Sequence, residues 1–260
     1  VGNIMQDPQT ASLYFLAPVA AAYLAACGLY LAYDWRAKLS HREGPLAESD
    51  RPNLDLLLVL VAGGAIFLLG WAYRAGWLLP TGSSVLGRIG WLVDNCIIYS
   101  PIAFVLAVRR QGTRTVFLST RRLGEKFLLG LALGVIAVTL YGALRGEIAE
   151  VPGYLISAPA ADKAVDFLPV FLEGVALAFA FVRLRWRVGV AAAIAIPSVL
   201  FAAAHVPGQI EAGRDLAHIV VFFAFNTVLP AAILWTVAQS RDVVWIGLVH
   251  YLMDIAIRAI

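Results

Sequence analysis

The sequence predicts an all-α protein that crosses a membrane about eight times. Three observations carry this prediction. Hydrophobic residues make up 61% of the chain and charged residues only 14%, about half the charged share of a soluble domain. The mean hydropathy is +0.80. Apolar stretches of roughly 16–24 residues recur along the whole length, each near the span of a hydrocarbon core. The alternating ten-residue segments of a β-barrel do not occur.

The first two stretches, 11–33 and 54–73, are joined by a polar loop from Asp34 to Asn53, too small to hold a core. The third and fourth are 88–108 and 126–144. The fifth and sixth, 167–182 and 188–205, are short, and only Arg183-Leu184-Arg185-Trp186-Arg187 separates them. The last two are 216–238 and 243–260. One integral membrane domain is expected, with four N-terminal spans in 1–164 and four more in 165–260. Trp71, Trp77, Trp91, Trp186, Trp235 and Trp245 stand near span ends, where an interfacial belt is expected. Cys27 and Cys96 lie within apolar runs as small hydrophobes, so no structural disulfide is expected. No cleavable signal pattern is seen; the chain begins at Val1, and some preceding residues are expected to be missing or trimmed. No internal repeat suggests a transporter with inverted halves.

Basic residues give an expected orientation. Arg36, Lys38, Arg42 and Arg51, then Arg109 to Lys126 with six basic residues, then Arg183, Arg185, Arg187 and Arg241 fall in one set of alternating loops. The other set holds Arg74, Arg88, Arg145, Lys163 and Arg214, with Arg258 near the C-terminus. The positive-inside rule places the first set in the cytoplasm and both termini outside, as for a bacterial inner-membrane protein. Lipid-facing basic loops account for the net charge of +3, and no nucleic-acid partner is expected.

Ionisable residues within such spans are costly and face a polar cavity or a partner. Glu173 lies about two turns into the fifth span, His205 closes the sixth, and His250 sits midway along the eighth. With the orientation above, all three fall in the outer half of the bilayer. Asp254 follows His250 by four residues and shares its helical face; Phe201 and His205 have the same spacing. A carboxylate and an imidazole facing one water can deprotonate it in a site that otherwise excludes water. A second imidazole, steered by a carboxylate, can stabilise the resulting oxyanion. Glu173 with His205 suits the first role, and His250 with Asp254 the second. Glu173, His205 and His250 also form a plausible zinc set, although the H-E-x-x-H signature is absent. The structural alternatives are an arginine pair for Glu173, an interfacial place for His205, and an interhelical bond for His250 with Asp254. His218 is expected at an interface, and Asn226 either at the same cavity or bonded to a neighbouring helix.

At these residues the chain resembles the CPBP family, the bacterial relatives of the Ras-converting CAAX prenyl endopeptidase, often labelled Abi proteins. Members are metal-independent, glutamate-type intramembrane proteases of about eight helices. Their motifs are E-E-x-x-x-R, then F-x-x-x-H, then H-x-x-x-N or H-x-x-x-D. The second is intact as Phe201 to His205 and the third as His250 to Asp254. The first keeps Glu173 but has Gly174 at the second glutamate and Ala178 at the arginine. The resemblance covers roughly 165–260 and implies a CAAX-protease-like bundle. It also implies water activation by Glu173 with His205, oxyanion stabilisation by His250 with Asp254, no cofactor, and a membrane-associated or exported peptide substrate. The losses at Gly174 and Ala178 point to an alternative, an inactive scaffold or accessory subunit of a larger membrane complex. A proton-coupled transporter using the same His and Glu residues is the third reading.

Overall fold

The computed structural model describes residues 8–38, 49–82 and 84–258. Long helices dominate: α1 (Pro8–Ala37), α2 (Pro52–Arg74), α3 (Val85–Val108), α4 (Leu123–Arg145), α7 (Phe167–Glu211), α8 (Leu216–Ser240) and α9 (Val244–Arg258). Two short helices, α5 (Val151–Ser157) and α6 (Ala161–Ala164), and two 3₁₀ turns fill the loops. Six of the helices are long and apolar enough to cross a membrane, and no strand occurs among the described residues. Local chemistry sets the boundaries. Pro52 opens α2 with its fixed φ. Ser84 caps α3 by accepting from the Gly87 amide at 3.1 Å, and Asp215 caps α8 by accepting from the His218 amide at 2.7 Å. Asp242 accepts from the Val244 amide at 2.9 Å where α9 begins.

The 45 residues of α7 would run about 67 Å if straight, more than twice a hydrocarbon core. They bend at Gly189, whose φ of 81° and ψ of 167° lie in a region that only glycine enters without strain. Contacts at its ends make α7 a hairpin. Near the bend, Arg183 reaches Gln111 and Thr115 beyond α3. At the opposite end of the bundle, Asp166 before α7 bonds Arg258, and Glu211 pairs with Arg74 at the end of α2. The fifth and sixth spans are therefore the two arms of one hairpin. The expected loop at Arg183–Arg187 is helical instead, and the turn falls two residues later. His205 also does not end its helix, which continues through Pro207 to Glu211. A proline lacks the N–H of one backbone bond, and the surrounding turns carry the helix past it. With the 15-residue α9, the hairpin arms bring the apolar helical segments to the eight expected.

The segments carrying most basic residues meet at one end of the bundle. Arg109 lies 3.0 Å from Asp50 and 3.6 Å from Asp55. The Val243 amide donates to the Phe117 carbonyl at 3.1 Å, and Lys126 approaches Asp242 at 3.9 Å. Arg42 of the first loop lies outside the described residues.

The most enclosed helix is α9, whose buried residues run almost without interruption from Val244 to Ala256. It packs most extensively on α4, with α7 on another side. Small residues make this approach possible. A Cβ on Gly130 would fall 2.7 Å from the Trp245 Cα, and one on Gly134 would fall 2.6 Å from the Leu252 Cδ1. Trp245 is accordingly no belt residue: it is fully buried, stacked on Tyr30 of α1 with ring centroids 4.4 Å apart. Its indole N–H donates to the Ser240 hydroxyl at 3.3 Å. Trp71, Trp77, Trp186 and Trp235 are exposed, as a belt requires. Both Cys27 and Cys96 are free thiols.

Gly130→Ala forces α4 and α9 apart against backbone atoms, and should lower stability by about 1–3 kcal/mol. Thermal unfolding of the detergent-purified protein checks this, with Gly124→Ala as the control because its added Cβ meets nothing within 4 Å. Equal melting of the two variants would refute the close-packing account.

Candidate functional site

The candidate site residues all come from the C-terminal spans, on two separate helices. The α7 hairpin carries Glu173 on its first arm and His205 on its second, each sixteen residues from Gly189. An even rise per residue therefore sets both at a similar distance from the bend. The central helix α9 brings His250 and Asp254, the half-buried positions on an otherwise enclosed stretch.

His205 has a defined tautomer. Its Nδ1 lies 2.8 Å from the Phe201 carbonyl, which can only accept, so Nδ1 carries the hydrogen and the neutral ring keeps a lone pair on Nε2. The Phe201 ring lies against the imidazole with centroids 4.4 Å apart. The F-x-x-x-H spacing thus has a local meaning: one residue supplies both the carbonyl that sets the tautomer and a ring that fixes the imidazole.

His250 faces Asp254 across 3.5 Å, Nε2 to Oδ1. The other Asp254 oxygen accepts from Arg258 Nη2 at 3.2 Å, and Arg258 Nη1 donates to Asp166 at 2.8 Å. A charge chain therefore runs from His250 through Asp254 and Arg258 to the start of α7. Beside it lies a cavity of about 100 Å³ lined by Lys163, Asp166, Tyr251, Asp254, Ile255 and Arg258. Lys163 donates to Ser157 at 2.6 Å, and the Tyr251 hydroxyl donates to the Ala158 carbonyl, so α5 closes one wall.

Glu173 is half-buried and makes no hydrogen bond or ion pair with any described residue. It does not sit in the arginine pair considered as its structural alternative. Asp254 and Arg258 are the charged groups that act on it electrostatically, and His205 and Asp254 are among those that act on His250. The four candidates are linked in this way through α9. No hydrogen bond or ion pair joins Glu173 to His205 directly. Among the described residues, no group of three or more His, Cys, Asp or Glu is arranged to hold a metal ion.

The altered first motif can be located. A Cβ on Gly174 would meet nothing within 4 Å, so the position faces open space. Ala178 is fully buried. Arg183 is also buried but engaged near the bend, away from Glu173. His218 stacks on Phe222, with centroids 6.3 Å apart, and the Asn226 amide donates to the Phe222 carbonyl of its own helix at 2.9 Å.

Four residues join the site that motif spacing did not select. Arg258 and Asp166 extend the charge chain, and Arg258 carried a signal, standing one further turn beyond Asp254 on the same face. Tyr23 of α1 approaches the His250 ring edge-on, with centroids 6.0 Å apart. Tyr99 of α3 lies within the electrostatic reach of Glu173. Tyr23 is one of four tyrosines in the first apolar run and Tyr99 follows Asp94 and Asn95 in the third, and no local pattern ties either to the motifs. The chain matches no family model, no curated protein and no solved structure, so its likeness to the CPBP proteins rests on the order and spacing of its own motifs.

Proposed function

We propose that the protein is a glutamate-type intramembrane endopeptidase acting on a membrane-associated or exported peptide near the outer face. The observation that carries this reading is Glu173: a carboxylate inside an apolar helix, bound to no described residue, beside the His250–Asp254 pair. An ionisable group held in such a place without a partner is available for chemistry.

In this reading Glu173 takes one proton from a water, whose other hydrogen faces the lone pair on His205 Nε2. The hydroxide oxygen bonds to the scissile carbonyl carbon, and the carbonyl π pair moves to its oxygen. His250, protonated and paired to Asp254, stabilises that oxyanion. As the oxyanion collapses, the C–N bond breaks and Glu173 returns its proton to the leaving amine, giving a carboxylic acid and an amine. Each proton taken is given back, and no metal or cofactor enters the balance.

Gly174 and Ala178 favour a second reading, an inactive relative that serves as a scaffold in a membrane complex. Glu173→Gln and His205→Ala, each introduced into the native host, separate the two. Mass spectrometry of membrane and secreted proteins should show specific termini lost in both variants at normal abundance of the protein. Unchanged termini, with a membrane complex that collapses only on deletion of the whole chain, would replace the protease by the scaffold.

A further inference from the structure

We infer that Tyr23, on the first transmembrane helix, supplies a hydroxyl donor to the oxyanion of the reaction at Glu173, an inference that rests on the protease reading above. The argument begins with His250. Its Nε2 lies 3.5 Å from the Asp254 carboxylate, an acceptor that favours the tautomer with the hydrogen on that nitrogen. In the neutral imidazole Nδ1 then bears a lone pair and cannot donate. His250 serves as an oxyanion donor only while doubly protonated, and the site has need of a donor that does not depend on that state.

Tyr23 has the required properties. Its ring meets the His250 ring edge-on with centroids 6.0 Å apart, which places the phenol at the catalytic face of α9. The residue is 5% exposed and forms no hydrogen bond with a described residue. Asp254 and Glu173 are both near enough to act on the phenol electrostatically. A phenol keeps its proton at neutral pH, and it donates more strongly as negative charge develops on an oxygen in a water-poor space. No bond to the tyrosine forms or breaks; its O–H is shared with the oxyanion and released when the carbonyl re-forms. Tyr99 responds to Glu173, whereas Tyr23 responds to both acids and also touches His250.

The test compares Tyr23→Phe with Glu173→Gln and wild type, each as the sole copy in the native host. The readout is the rate at which Glu173-dependent peptide termini appear, with protein abundance and melting temperature measured in parallel. Phenylalanine keeps the edge contact with His250 and removes only the hydroxyl. The expected result is a rate lowered on the order of 10²-fold, with abundance and melting unchanged. Incorporation of 4-aminophenylalanine at position 23, which returns an N–H donor, should restore part of the rate. It also serves as the informative variant if Tyr23→Phe fails to accumulate, since it keeps a polar group of similar size. A wild-type rate in Tyr23→Phe, while Glu173→Gln abolishes the same termini, overturns the role of Tyr23 and leaves the protease reading standing. Termini that persist in Glu173→Gln remove the protease reading itself, and the inference falls with it.

Discussion

Glu173→Gln is expected to slow cleavage by roughly 10²–10⁴-fold, the range for loss of a positioned acid–base group, without weakening the fold. The amide is nearly isosteric but does not take a proton from water. Glu173 bonds to no described residue, so the substitution removes no structural partner. It also removes a carboxylate from an apolar helix, where an ionised group is unfavourable. The melting temperature of the purified variant should therefore equal or exceed that of wild type. This second readout separates catalysis from structure, because a residue that held helices together would destabilise the protein when altered. A clear drop in melting temperature, with cleavage unchanged, would show Glu173 to be a packing residue.

Arg183→Ala should act in the opposite way, lowering stability by about 1–3 kcal/mol, the range for leaving hydrogen-bond partners of a buried group unsatisfied. Arg183 is only 2% exposed. It donates to the Gln111 side chain at 2.6 Å, to the Phe179 carbonyl at 3.2 Å and to the Thr115 carbonyl at 3.4 Å, and lies 4.0 Å from the Phe179 ring centroid. Alanine takes this donor from the partly buried Gln111 and Thr115 acceptors, while the Phe179 carbonyl keeps its bond within the helix. Lysine keeps the charge but not the planar fork, so Arg183→Lys should fall between. Exposed Arg187 is the control, and Arg187→Ala should change stability little. Thermal or denaturant unfolding in one detergent compares the three; matching curves for Arg183→Ala and Arg187→Ala would refute the network's importance.

Most of the architecture was legible in the chain because span length is a one-dimensional property. An apolar run long enough to cross a membrane announces itself whatever its neighbours do. The bend in α7 was displaced because polarity pointed to Arg183–Arg187, whereas the backbone turns where φ can become positive, at Gly189. Trp245 was misplaced for a related reason: an aromatic near a span end reads as interfacial until α4 glycines bring the helix into the centre. In the site, the pairs one turn apart were legible, Phe201 with His205 and His250 with Asp254. The meeting of α1 with α9 was not, because Tyr23 reaches His250 through tertiary packing that no spacing encodes.

The placement of Glu173 and His205 on two arms joined at Gly189 makes the hairpin a pair of levers with a common fulcrum. Each arm is about 24 Å from bend to functional group, so a rotation of about 5° at the fulcrum displaces the group by about 2 Å. Misplacement by about 1 Å can change a rate by about 10²-fold. The clamp that Arg183 makes beside the fulcrum therefore governs alignment at the far end, where it touches nothing. In the proposed protease, angular stiffness at the basic end of the bundle would set, as much as the chemistry of the acid and the imidazole, how well they share one water.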